Sequence, residues 1–364
     1  MLPKGLTCAS SPIMPGKHKG KLTIFLGYAA GVGKTYQMLT EARHLRDQGQ
    51  DVVIGYFEPH GRKETIAQTE GLEFVPRRVY LHRGTAFEDM DTDAVIARHP
   101  AVAAVDEFAH TNVPGSEKPK RWQDVMALLD AGISVLTSVN VQHIESLNDQ
   151  VWQVTGIRVR ETVPDWVVQE ADEVVMVDVT PRALLHRLER GVVYAPEKAR
   201  QAMENFFTEG NLTALRELAL RQAAQQLEEK QPGQRAGLSA KEPAKESDTA
   251  RQESILLWLI PHPSTAMLIR RARRVADYLG CPCTAVYVAK DAAAIEPWLN
   301  ICVNLRIVAH ATTGRDNSAK EIVACARAQG TTQIFVTRNA PDVSRLVDLA
   351  RDMQVTVVAE RVRQ

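Results

Sequence analysis

The stretch Leu22-Thr-Ile-Phe-Leu-Gly27-Tyr-Ala-Ala-Gly-Val-Gly-Lys34-Thr35 decides the reading of the fold. It opens on a short apolar run with the composition of a buried strand, and Gly27 ends that run. A helix is expected over 34–48, with Gly49 as its stop. Strand, glycine-rich turn and helix in that order are the setting of a Walker A loop. In such a loop, successive backbone N–H groups and the helix N-terminus surround the β-phosphate. Lys34 would reach the β/γ-phosphates and Thr35 would offer its hydroxyl to Mg²⁺. Gly27, Gly31 and Gly33 permit close approach of backbone to phosphate. The loop departs from the common pattern, because its first glycine would fall at Tyr28. The plain alternative is a glycine-rich turn followed by an ordinary helical lysine.

Working outward, strands are expected over 51–57, 101–105, 133–139 and 173–179, with helices over 121–130 and 142–154. Strands alternating with helices predict an α/β fold: a doubly wound parallel sheet, P-loop NTPase-like, with helices on both faces. Three helices follow, over 182–189, 197–207 and 212–227. Residues 228–253 are Gln, Glu, Lys, Pro, Gly and Ser with almost no large apolar side chain, and read as a disordered linker. Beyond it, strands over 255–260, 284–288, 305–309, 334–336 and 356–358, with helices over 266–279 and 319–329, predict a second, smaller Rossmann-like α/β domain. The expected organisation is a flexible tail (1–20), a nucleotide-binding domain (21–227), the linker (228–253) and the second domain (254–364).

Composition bounds the function. The chain has 364 residues, enough for two or three domains, with 45% hydrophobic and 24% charged residues. Lys plus Arg and Asp plus Glu are 44 each, a net charge of zero, which argues against non-specific binding to nucleic acid or anionic membrane. No apolar run approaches the roughly 18 residues of a membrane helix, and the longest, over 255–260, stops at Pro261. With no signal-like N-terminus and five scattered cysteines, a cytoplasmic protein in a reducing compartment is expected. Cys281-Pro-Cys283 is too short a spacing for a zinc site and reads as buried thiols. Arg270-Arg-Ala-Arg-Arg274 lies on an expected helix and reads as a solvated face, with a docking surface as the sharper option.

A phosphate loop needs a carboxylate at the end of a neighbouring strand. Asp106 would hold Mg²⁺ through water, and Glu107 stands where hydrolysing P-loop ATPases place a general base. The alternatives are a helix N-cap for Asp106 and a polar sheet-edge residue for Glu107. Two more loops follow strand ends, where ligands of open α/β sheets collect. In the first, Arg62 and Lys63 could touch phosphate or ribose and His60 could hydrogen-bond either; in the second, Asn140 could sense the γ-phosphate. Both loops also read as turn and cap residues. His110 and His143 gain interest only from their place in these loops.

Long strings then carry a resemblance. They include Gly31-Val-Gly-Lys-Thr-Tyr36, His60-Gly-Arg-Lys-Glu-Thr65, Asp106-Glu-Phe-Ala-His-Thr-Asn112 and Pro114-Gly-Ser-Glu-Lys-Pro-Lys-Arg-Trp-Gln-Asp124. Others are Val139-Asn-Val-Gln-His-Ile-Glu-Ser-Leu-Asn-Asp149, Arg160-Glu-Thr-Val-Pro-Asp165 and Gly210-Asn-Leu-Thr-Ala-Leu-Arg-Glu-Leu-Ala-Leu220. Together they resemble the cytoplasmic N-terminal domain of the KdpD family, the sensor histidine kinases of bacterial Kdp potassium uptake. The tail from Ser254 resembles the universal-stress-protein domain that follows in that family. The resemblance implies a regulatory ATP–Mg²⁺-binding input module, with Val32 and Tyr36 joining Gly27, Gly31, Gly33, Lys34, Thr35, Arg62 and Asn140 in the nucleotide set. It also implies a partner sensor kinase or Kdp transporter component, with the inner membrane reached only through that partner. The membrane, dimerisation and kinase domains of the family are not in this sequence, so a truncated input module without histidine autophosphorylation is expected. A homo-oligomer is compatible with this reading. In the second domain the loop over 336–344 has no glycine, so ATP is not expected there. Some relatives bind a cyclic dinucleotide in this domain, but a protein-docking role is the preferred reading. The competing functions are a thymidine-kinase-like phosphotransferase and a slow ATPase.

Overall fold

A computed structural model describes residues 20–191, 206–230, 253–288, 291–312 and 318–359. The helix expected over 197–207 and the tail before Gly20 lie almost wholly outside the described residues, as does the linker beyond residue 230. Gly20 itself belongs to the fold: its N–H donates to the Leu129 carbonyl at 3.1 Å.

The N-terminal half runs β1 (Leu22–Gly27), α1 (Lys34–Asp47), β2 (Val52–Tyr56), α2 (Lys63–Ala67), β3 (Glu73–Phe74), β4 (Arg78–His82), β5 (Thr85–Asp89) and α3 (Thr92–Arg98). It continues through β6 (Val102–Val105), α4 (Arg121–Asp130), β7 (Ser134–Asn140), α5 (Asn148–Thr155), α6 (Asp165–Gln169), β8 (Glu173–Met176), α7 (Pro181–Glu189) and α8 (Glu209–Lys230). Six strands form one sheet in the order β3-β2-β6-β7-β1-β8. The pairs β2–β3, β2–β6 and β6–β7 are parallel. β2 and β6 are buried at every position, as continuous apolar runs covered on both faces must be.

The C-terminal half runs β9 (Ile255–Trp258), α9 (Ser264–Leu279), β10 (Cys283–Val288), α10 (Ala292–Asn304), β11 (Val308–Thr312), α11 (Ser318–Ala328), β12 (Gln333–Thr337), α12 (Val343–Leu349) and β13 (Gln354–Val358). Its strands pair in parallel in the order β11-β10-β9-β12-β13. Alternation along the β9 segment splits the core into two layers. Ile255, Leu257 and Leu259 cluster with Leu268, Ile269, Ala272 and Ala276 of α9. Leu256, Trp258 and Ile260 cluster instead with Ile322, Val323 and Ala326 of α11. This is the doubly wound α/β architecture expected.

By internal contacts the chain divides into two compact units. One comprises the described parts of Met1–Phe25, Thr35–Ser138 and Ala171–Glu173; the other those of Leu26–Lys34, Val139–Glu170 and Val174–Gln364.

Several elements differ from the sequence expectation for identifiable reasons. The helix expected over 142–154 is broken into 3₁₀ turns at Val141–His143 and Glu145–Leu147, with α5 starting only at Asn148. A bridge from Ile144 to Val163 interrupts it: the Val163 N–H donates to the His143 carbonyl at 2.7 Å and the Glu145 N–H to the Val163 carbonyl at 3.0 Å. The β4–β5 hairpin went unpredicted, although Arg83 and Gly84, both with positive φ (49° and 79°), form the kind of two-residue turn that favours hairpins. α10 was also unpredicted, and it displaces the strand expected over 305–309 to Val308–Thr312; Leu305 and Ile307 pack in the core instead. Cys281, Cys283 and Cys302 are buried free thiols, and burial pushes Cys283 and Cys302 up to about 12.

One buried acid gives a prediction. Burial pushes the Asp165 carboxyl up to about 6, against lowering hydrogen bonds from Ser146. The unfolded chain therefore releases this proton first, and stability falls as pH rises from about 4 to 6. The shift of roughly two pK units corresponds to about 3 kcal/mol once the group is ionised. Asp165→Asn should flatten this part of the pH–stability curve and raise the melting temperature at pH 7, as followed by circular dichroism. An unchanged curve would show that Asp165 does not titrate in this range.

Candidate functional site

The glycine-rich loop follows β1. Gly31 (φ 89°) and Gly33 (φ 108°) hold it in backbone conformations that side chains disfavour. At Gly27 the constraint is space, since a Cβ would come within 2.6 Å of Val32 Cγ2 and 2.8 Å of Lys34 Cδ. The stem of Lys34 thus lies over Gly27. Its ammonium is nearly buried and donates to the Ala29 carbonyl at 3.2 Å and to Asn140 Oδ1 at 2.5 Å.

Tyr28, in place of the usual first glycine, turns into the core. It is fully buried and its hydroxyl donates to the Val179 carbonyl at 3.0 Å. Burial first, then the charge of Asp178, push its pKa up to about 12, so it remains a donor. Arg187 of α7 holds the loop as well, with Nη1 donating to the carbonyls of Gly31 at 3.2 Å and Val32 at 3.3 Å. The loop thus keeps its shape by contacts with residues after β8. Nothing local in the sequence marks Arg187 as its partner.

The Asp106 carboxylate has its own set. β6 and β7 pair with Val105 opposite Thr137, which brings the next residues, Asp106 and Ser138, level. Thr35 Oγ1 lies 3.2 Å from both carboxylate oxygens of Asp106, and Ser138 Oγ donates to Oδ1 at 2.6 Å. Asp106 is buried. A hydroxyl and a carboxylate are hard oxygen donors, the type Mg²⁺ prefers. Ser138 lies in the strand expected over 133–139, and only the strand register gives it a role.

Glu107 follows with φ 57°, a conformation of stored strain that a residue without a function seldom keeps. His60, also left-handed (φ 46°), places Nε2 3.3 Å from Glu107 Oε1, and His110 Nδ1 lies 3.8 Å from Oε2. Burial alone would lift the Glu107 carboxyl; the hydrogen bond from His60 and the charges of His110 and Arg121 outweigh it and hold it below the ordinary carboxylate value. The same hydrogen bond raises His60. Arg121 supports the turn from within: it is fully buried, ion-paired with Asp89, 3.7 Å from the Tyr56 ring centroid, and donates to the Asp106 carbonyl at 3.4 Å.

Of the expected site residues, the structure joins Lys34 to Asn140, Thr35 to Asp106, and Glu107 to His60 and His110. Val32 is buried in the loop and Tyr36 is 42% exposed on α1. Arg62 stands just before α2 with its Nε buried and without a hydrogen-bond partner. Tyr36 and Arg62 enter none of these sets.

The family described as the osmosensitive K⁺ channel His kinase sensor domain, KdpD, matches residues 18–227. The chain belongs to the KdpD sensor-domain family. A KdpD sensor protein of Synechocystis is 47% identical over 281 residues, covering 77% of this chain and 72% of that protein. The KdpD sensor protein of Escherichia coli is 49% identical over 275 residues, covering 76% of this chain but 30% of its own length. The chain therefore spans less than a third of that KdpD relative. A solved universal stress protein from Burkholderia pseudomallei aligns with 30% of this chain and 98% of its own, at 14% identity and a TM-score of 0.26. Among the described residues no helix is long and apolar enough to cross a membrane.

Proposed function

We propose that this chain is the regulatory ATP–Mg²⁺-binding module of a potassium-linked two-component system, acting on a partner kinase or transporter component. The observation that carries the proposal is the state of Lys34. Its ammonium is nearly buried above a glycine cradle and donates to the Ala29 carbonyl and to Asn140 Oδ1. A buried ammonium set over a glycine-rich turn at the N-terminus of a helix suits an anion such as a phosphate. Thr35, the next residue, and Asp106 would hold Mg²⁺ when it is bound, and the loop amides over 31–35 would cradle the β-phosphate. The site resembles a phosphate loop in each of these respects. The second domain, in this reading, takes a protein partner.

A second reading, slow hydrolysis, draws on Glu107. Its lowered pKa keeps it ionised at neutral pH, able to orient water but far below the value of an efficient proton acceptor. That favours a nucleotide-occupancy switch with slow reset over rapid turnover. Phosphate release and labelling of added acceptors, followed on the whole chain with ATP and Mg²⁺, separate the options. Slow phosphate release or none, together with binding, is expected. Stoichiometric labelling of an acceptor would turn the assignment to a phosphotransferase.

A further inference from the structure

Arg270 and Arg274 do not form the solvated face expected of them. They lie one turn apart on α9 and meet two acids at the same spacing, Glu145 and Asp149. Arg270 donates to Glu145 Oε1 from Nε at 3.0 Å and from Nη2 at 2.7 Å. Arg274 donates to Asp149 Oδ1 at 2.7 Å and Oδ2 at 3.1 Å, and to the Ser146 carbonyl. The acids are 4% and 7% exposed and the arginines 15% and 22%, so water screens these pairs little. Two forked pairs in register make α9 follow any displacement of residues 145–149.

Those residues begin five positions after Asn140, the partner of Lys34. Asn140 precedes the 3₁₀ turn at Val141–His143, yet its side chain makes no capping hydrogen bond there because it is engaged by Lys34. The stretch between is pinned along its length. His143 Nδ1 lies 2.8 Å from the Glu161 carbonyl, the Ser146 N–H donates to Asp165 at 2.9 Å, and Asn148 Nδ2 donates to the Val159 carbonyl at 2.7 Å. Val141, Ile144, Leu147 and Val151 are all buried. Such a segment shifts as one body.

We infer that the second α/β domain is the receiver of the nucleotide signal, through Lys34, Asn140, residues 141–149 and the Arg270/Arg274 face of α9. This rests on the ATP-binding reading above. A phosphate oxygen on Lys34 competes with Asn140 Oδ1 for the ammonium. Asn140 is then released to cap its 3₁₀ turn or to donate to phosphate, and the segment it begins has two discrete arrangements. That is the two-state element a coupling requires.

Hydrogen–deuterium exchange of the full chain, with and without ATP–Mg²⁺, tests it, alongside calorimetric titration. In the wild type, exchange over 141–149 and 264–279 should change about 5-fold or more on binding, the lower end of the usual span of coupling strengths. The double variant Arg270→Gln/Arg274→Gln should still bind ATP–Mg²⁺, but its α9 exchange should no longer respond. Arg274→Gln should shift ATP affinity by roughly 5-fold, since coupling between sites is reciprocal. Wild-type binding with unchanged α9 exchange would overturn the relay and leave the ATP site standing, as would a normal α9 response in the double variant. Absence of wild-type binding would overturn both readings at once.

Discussion

Lys34→Ala is expected to weaken ATP–Mg²⁺ binding by about 100-fold or more, roughly 2.8 kcal/mol. The buried ammonium is the loop's own cation, and its stem packs over Gly27 beside Val32. In the wild type Lys34 has already lost most of its water, and bonds from its ammonium to the neutral oxygens of Ala29 and Asn140 give way to bonds with an anionic phosphate, in which both partners are charged. Alanine removes the charge and leaves the amide cradle, which retains the weaker part of the attraction through its N–H groups. The variant should stay folded at reduced stability, because the two hydrogen bonds lost, to Ala29 and Asn140, are each worth about 1 kcal/mol or more. A cooperative melting transition together with lost titration heat would confirm the role. Retained affinity would leave the loop a structural turn.

Glu107→Gln is expected to leave ATP affinity within a few-fold and to cut any phosphate release by about 10-fold or more, a barrier increase of roughly 1.4 kcal/mol. Glutamine keeps the shape and can still accept from His60, but it cannot carry the negative charge that orients water. The left-handed backbone at Glu107 and the paired histidines are costly features to retain for an ordinary edge residue. Steady-state phosphate release on both proteins at equal nucleotide occupancy is the check. Equal rates would remove Glu107 from the chemistry and leave its strain without an assigned role.

The parallel sheets and the acid after β6 were legible in the sequence because they are local patterns: apolar runs, glycine-rich turns and helix stops. What stayed hidden depends on contacts distant along the chain. Tyr28 looked like a flaw in the loop until its hydroxyl was seen on Val179, and Arg187 reaches Gly31 from 156 residues away. The break in the helix expected over 142–154 comes from Val163, which no local periodicity reports. Arg270 and Arg274 read as surface charges because the sequence does not show that Glu145 and Asp149 stand opposite them at the same spacing.

The most direct measurement is a crystal structure of the full chain with Mg²⁺ and a non-hydrolysable ATP analogue. The account predicts the β-phosphate within hydrogen-bond distance of the amides over 31–35 and of Lys34 Nζ, Mg²⁺ beside Thr35 and Asp106, and Asn140 released from Lys34. Nucleotide bound only at the five-stranded sheet, or an empty loop at saturating analogue with the Lys34–Asn140 bond intact, would contradict it.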